Sequence, residues 1–148
     1  MENPRELFQI MTRRLGLLDK NCCSTGGTDL TAIQSHILYE IDQQHNPSIQ
    51  QIAETLSIDI TTFSRQVQSL VNADLVKKTP FTEDRRVTIL SLTTQGKYAA
   101  TVVDQQMNEY LQDIFSNMTQ FEQDMVIQSI KLLNASMAKS KMCCTPMG

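Results

Sequence analysis

Asp59-Ile60-Thr61-Thr62-Phe63-Ser64-Arg65-Gln66-Val67-Gln68-Ser69-Leu70-Val71-Asn72 reads as one helix with two unlike faces. Phe63, Val67, Leu70 and Val71 recur at helical spacing and make an inward stripe, with Asp59 placed to cap it. The outward face holds Thr61, Thr62, Ser64, Arg65, Gln66, Gln68, Ser69 and Asn72. A solvated helix usually shows several Glu and Lys there, whereas this one has a single charge among hydroxyls and amides. Such groups exchange hydrogen bonds with base edges and phosphates, and the lack of carboxylates avoids repelling a polyanion. A merely polar surface helix has the same composition, so the flanking segments decide.

Upstream, Ser48-x-x-Gln51 forms a capping box opening a short helix with Ile49, Ile52, Ala53 and Leu56 inward. Two short helices joined by a tight turn have the shape of a helix-turn-helix. Downstream, the β-branched residues of Val76–Thr79 and Arg86–Leu92 predict two strands, with Pro80–Arg85 as the hairpin tip. A hairpin carrying Lys77 and Lys78 on one strand and Arg85 and Arg86 near its tip is a wing. Its arginine suits a narrow minor groove, where the negative potential is strongest. Asp84 beside two arginines fits a bidentate partner holding one of them, or a simple turn former.

Further out the pattern is helical. Asn3, Pro4 and Glu6 can start a first helix carrying Leu7, Ile10, Met11, Leu15 and Leu18, and Asn21–Gly27 breaks it with turn chemistry. Thr31-x-x-Gln34 opens a second helix with Ile33, Ile37, Leu38 and Ile41 inward, ended by His45-Asn46-Pro47. Thr93 starts a long helix marked by Ala99, Val103, Met107, Leu111, Ile114 and Met118. Thr119-x-x-Glu122 opens a last one with Met125, Val126, Ile130, Leu133 and Met137. The expected fold is mainly α with a small β-hairpin wing, a winged helix-turn-helix in the order α-α-α-α-β-β-α-α. The apolar stripes of the first and last two helices predict a dimer.

Asp84-Arg85-Arg86-Val87-Thr88-Ile89-Leu90-Ser91-Leu92-Thr93 resembles the wing signature of the MarR family, an Asp-x-Arg followed by a strand ending in Leu-Thr. Leu30-Thr31-x-x-Gln34-x-x-x-Leu38 resembles the family's opening to its second helix, and Thr62-Phe63-Ser64-Arg65 followed by Leu70 its recognition helix. The resemblance runs over almost the whole chain. It implies a homodimer with intertwined first and last helices carrying two winged-helix lobes on double-stranded DNA. Residues 1–148 then form one chain, with the DNA-binding lobe at 31–93 and a helical dimerisation region at 1–20 and 94–142. Arg86 would be the minor-groove arginine and Asp84 its positioning partner, while Ser64, Arg65 and Gln68 would lie in the major groove. Where the family's first helix usually runs directly into the Leu-Thr opening, this chain inserts Cys22-Cys23-Ser24-Thr25-Gly26-Gly27.

Composition limits the alternatives. The chain has 148 residues, 41% hydrophobic, with a net charge of −3. That is enough for a core, and no run approaches the ~20 apolar residues of a membrane span. The start shows no signal-peptide pattern, so a cytoplasmic protein is expected. Against the overall acidity, residues 61–97 hold six basic side chains (Arg65, Lys77, Lys78, Arg85, Arg86, Lys97) and three acidic ones (Asp74, Glu83, Asp84). A solvated face produces such an imbalance too.

The four cysteines form two adjacent pairs, Cys22-Cys23 and Cys143-Cys144, which do not match zinc spacing. Soft thiolates suit a thiophilic metal or trivalent arsenic as an effector; a redox response competes with that reading, and two unrelated surface pairs are the plain alternative. His36 and His45 can join a metal site but more often are solvated. No cofactor is required. An enzyme is not expected, since no activating base, phosphate loop or nucleophile elbow accompanies the thiols. The expected function is a homodimeric transcriptional regulator, a repressor by family resemblance, reading a pseudo-palindromic operator. A winged-helix protein-interaction module and a thiol-based metal carrier are the alternatives.

Overall fold

The capping boxes set the helix starts. In the computed structural model, which describes residues 3–14, 23–25 and 28–140 (backbone only at 23–25, 28 and 29), the Thr31, Ser48 and Thr119 hydroxyls accept the N–H groups of Gln34, Gln51 and Glu122, whose side chains accept the cap N–H in return. These caps open α2 (Ala32–Gln43), α3 (Ile49–Leu56) and α6 (Gln120–Lys139). Asp59 caps α4 (Ile60–Asn72) through the N–H groups of Thr61 and Thr62. At the start of α1 (Pro4–Arg14), Asn3 Oδ1 accepts the Arg5 N–H at 3.1 Å. Leu15 and Leu18 lie outside the described residues.

Two departures from the expected elements follow from local chemistry. In and just after the expected Asn21–Gly27 interruption lies a short antiparallel hairpin, β1 (Cys23–Thr25) paired with β2 (Thr28–Leu30) in the register Cys23 to Leu30. The order is therefore α-β-β-α-α-α-β-β-α-α. Ser24, Thr25 and Thr28 tolerate extended backbone. In the wing, β3 (Val76–Pro80) pairs with β4 (Thr88–Leu92), so Arg86 and Val87 belong to the link and not to the second strand. A turn bond from the Val87 N–H to the Asp84 carbonyl keeps them there.

Ile37, Leu38 and Ile41 of α2, Ile52 and Ala53 of α3, and Phe63, Val67 and Leu70 of α4 close a core with Leu30, Leu75, Val76 and Leu90. Ile33, expected to face inward, is 41% exposed. At ~100° per residue it lies about 90° from the centre of the arc that Ile37, Leu38 and Ile41 bury. The wing is tied to this core by the Leu90 N–H donating to the Pro47 carbonyl and by a bridge between Ser48 and Ile89.

α5 (Thr94–Ser116) begins one residue later than expected, because Thr93 stays outside as its cap. The Thr93 hydroxyl accepts the Gly96 N–H at 2.9 Å and donates to the Asp74 carbonyl at 2.6 Å, while its N–H donates to the Leu75 carbonyl. Gly96 allows this close approach, since a Cβ would stand 1.8 Å from the Leu75 carbonyl oxygen and force a shift. Two compact units divide between Asp104 and Gln105, within α5. In the first, Ala99 and Ala100 join the core. In the second, α6 buries none of its residues: Phe121, Met125, Ile130, Leu132 and Met137 stand open. No helix among the described residues is long and apolar enough to cross a membrane.

Candidate nucleic-acid interface

α3 hands over to α4 through Ser57, which takes the left-handed conformation at φ 54° and returns its N–H to the carbonyls of α3. The tight turn fixes α4 on the core by Phe63, Val67 and Leu70 and leaves Thr61, Thr62, Ser64, Arg65, Gln68, Ser69 and Asn72 exposed. Among these residues Arg65 is the sole charge. The Asp59 carboxylate already occupies the first free N–H groups of α4, at 3.1 and 3.3 Å. The helix end is therefore spoken for, and any contact with an anion falls to side chains further along.

At the tip of the wing, Asp84 and Arg86 form a closed fork. Asp84 Oδ1 accepts the Arg86 backbone N–H at 3.0 Å and its Nε at 3.1 Å, and Oδ2 accepts Nη2 at 3.3 Å. These bonds hold the Asp84 carboxyl below the usual carboxylate range, the guanidinium being the larger cause and the backbone N–H the lesser. The Arg86 side chain is nonetheless 92% exposed. A solvent-facing ion pair contributes little stability, but two parallel bonds fix a direction. Arg85 beside it is exposed.

Lys77 and Lys78 are exposed on β3, but their surroundings differ. Lys78 Nζ donates to Gln68 Oε1 at 2.7 Å, and Gln68 Nε2 donates to Asn72 Oδ1 at 2.9 Å. Gln34 of α2 reaches the same helix, Nε2 to the Ser69 hydroxyl at 3.4 Å. The Gln68–Asn72 bond is an ordinary i, i+4 pair within α4, whereas the bonds from Lys78 and Gln34 join α4 to other elements. The polar composition of α4 hinted at bonding capacity but carried no signal for which partners would meet. Likewise Lys97 of α5 pairs with Asp42 of α2, a contact that sequence patterning missed.

The cysteine expectation falls mostly outside the described residues: Cys22, Cys143 and Cys144 lie there, and Cys23 is described only as backbone in β1. His36 and His45 are exposed, and no cluster of three metal-ligating side chains occurs among the described residues.

Residues 30–88 match the model of the MarR family. The HTH-type transcriptional regulator PapX of Escherichia coli is 32% identical over 97 residues, covering 65% of this chain and 59% of PapX, so the match spans about three fifths of that relative. Among solved structures, Streptococcus pneumoniae FabT in complex with DNA superposes with a TM-score of 0.79 at 17% identity, covering 90% of this chain and 94% of that one. The S. aureus MepR–DNA complex gives 0.78 at 20% identity, covering 92% and 99%. Likeness at such low identity establishes the winged-helix fold.

Proposed function

We propose, from the match of residues 30–88 to the model of the MarR family, that this protein is a homodimeric transcriptional regulator that binds double-stranded DNA and represses the genes it sits on. One observation carries the reading. The exposed, carboxylate-free face of α4 adjoins a wing whose Arg86 is aimed by a carboxylate fork. The α4 face, with Thr61, Thr62, Ser64, Arg65 and Gln68, suits a major groove, and the wing, with Arg85 and Arg86, the adjacent minor groove. Lys77 supplies a cation for the phosphate backbone. An interaction module without DNA would instead be expected to expose apolar anchors on this face. PapX is a transcriptional regulator by name, and the FabT and MepR structures are DNA complexes, which favours the same reading.

The open apolar faces of α1 and α6 support the dimer. A two-fold dimer reads a pseudo-palindrome with half-sites about one helical turn apart. Release is assigned to the cysteine pairs, whose thiolates suit a thiophilic metal or trivalent arsenic; an organic ligand is the alternative effector.

A mobility shift on the DNA upstream of the protein's own gene tests this reading. Arg65→Ala should cost roughly 1–3 kcal/mol and relax sequence preference. Arg86→Ala should lower affinity and flatten the salt dependence by about one phosphate-equivalent. Wild-type binding by both variants would defeat the assignment. Repeating the shift with arsenite, cadmium and peroxide in a non-thiol reductant tests release, which Cys22→Ser/Cys23→Ser should abolish.

A further inference from the structure

The bonding of Gln68 decides more than its position. A glutamine amide has two acceptor sites on its oxygen and two N–H donors on its nitrogen. In this chain one acceptor site is taken by Lys78 Nζ and one donor by Asn72 Oδ1. The two partners also fix which way round the amide lies, because an ammonium can only donate and so must face the oxygen. What remains is one acceptor site and one donor on the same exposed amide. Adenine presents the complement in the major groove, an N6 amino donor next to an N7 acceptor, and a glutamine pairs with both at once.

We propose that Gln68 is a pre-oriented reader of one adenine in each half-site, and that Lys78 and Asn72 are positioning residues that lock its amide for that base. This rests on the DNA-binding reading above. Lys78 then differs from Lys77: one aims a base contact, while the other faces solvent as an ordinary phosphate partner. Locking the amide in the free protein lowers the ordering cost at binding and removes the flipped orientation, which offers its donor and acceptor the wrong way round.

The test is selection from a pool of duplexes with a random central segment, using the full-length wild type, Gln68→Ala, Gln68→Glu, Lys78→Met and Asn72→Ala, followed by salt titrations on the selected duplex. Wild type should select an adenine at one position per half-site. Gln68→Ala should lower discrimination there about tenfold or more, the effect of losing a bidentate pair. Gln68→Glu should move the preference toward cytosine, whose amino group needs an acceptor. Lys78→Met and Asn72→Ala should each lower the adenine preference severalfold at that position alone. If Lys78→Met keeps the preference but reduces the salt slope by about one, Lys78 is a phosphate contact and the inference is overturned.

Nuclear magnetic resonance of the free protein separates the two levels of failure. Lys78→Met should shift the Gln68 side-chain amide signals. Unshifted signals overturn the locked amide even where DNA binding stands. Absence of any salt-dependent duplex binding by wild type overturns the DNA-binding reading itself.

Discussion

α2, α3, α4 and the β3–β4 hairpin close a core together with Leu30 and the first turns of α5, with Ile37, Ile52, Phe63, Val67 and Leu90 fully buried, whereas α1 and α6 bury nothing. Both regions are built from amphipathic helices with good caps. The difference lies in what covers the apolar stripe. In the lobe, each stripe meets another from the same chain. On α6, Phe121 at 75% and Leu132 at 70% exposure have no cover within the chain's described residues. A helix patterned for burial but left open is a statement about a partner, and two copies of one stripe satisfy it by symmetry. Part of the fold thus belongs to one chain and part to the proposed pair.

Substitutions can break this contrast or sharpen it. The largest effect is expected in the lobe: Phe63→Ala should cost about 3–5 kcal/mol, the price of a large cavity, measured by urea denaturation. A loss below about 1 kcal/mol would mean that the lobe is not the self-sufficient unit. Ile130→Asp should leave the lobe's core intact but weaken self-association by about 2 kcal/mol or more, if that side chain lies at the centre of the interface. Sedimentation at micromolar concentration reads it, and an unchanged mass would refute a dimer closed by α6. Gly96→Ala comes third, at about 1–3 kcal/mol, since α5 must back away from Leu75 to admit a Cβ. Thermal melting should show it, and a neutral outcome would show that this junction yields.

The smallest effect is on the wing and concerns pH. Arg86 depresses the Asp84 pKa, so the fork is closed above that depressed value and opens as pH falls through it. A carboxyl titration followed by nuclear magnetic resonance should find Asp84 ionising at lower pH than an unpaired aspartate, and Arg86→Gln should bring it back up. No difference between the two proteins would mean that the fork does not persist in solution.

What was legible in the sequence divides along the range of the interactions. The capping boxes at Thr31, Ser48 and Thr119 involve residues three apart, and Asp84 and Arg86 are two apart; such geometry is set by the local chain. The helix stripes were legible for the same reason, except at the edge of an arc, where Ile33 was misplaced. The β1–β2 hairpin was missed because Ser, Thr and Gly serve turns and short strands alike. Gln68 with Lys78, Gln34 with Ser69 and Asp42 with Lys97 join separate elements, so no spacing rule reports them. The outward residues of α4 were identifiable as a set, whereas the division of labour among them needed coordinates.

The Thr93 junction bears on how such a lobe can be controlled. Its hydroxyl and N–H fasten the head of α5 to Asp74 and Leu75, directly between the end of α4 and the start of the wing, with Gly96 pressed against the same carbonyl. The end of α4, the start of the wing and the head of α5 thus share one anchoring point. In mechanical terms the first turns of α5 are a shaft welded to its blade, and a torque on the shaft would bear on α4 and the wing through the same joint. Control of this protein would then work by steering the lobe whole, and a switch that bends the recognition helix alone would first have to cut the weld.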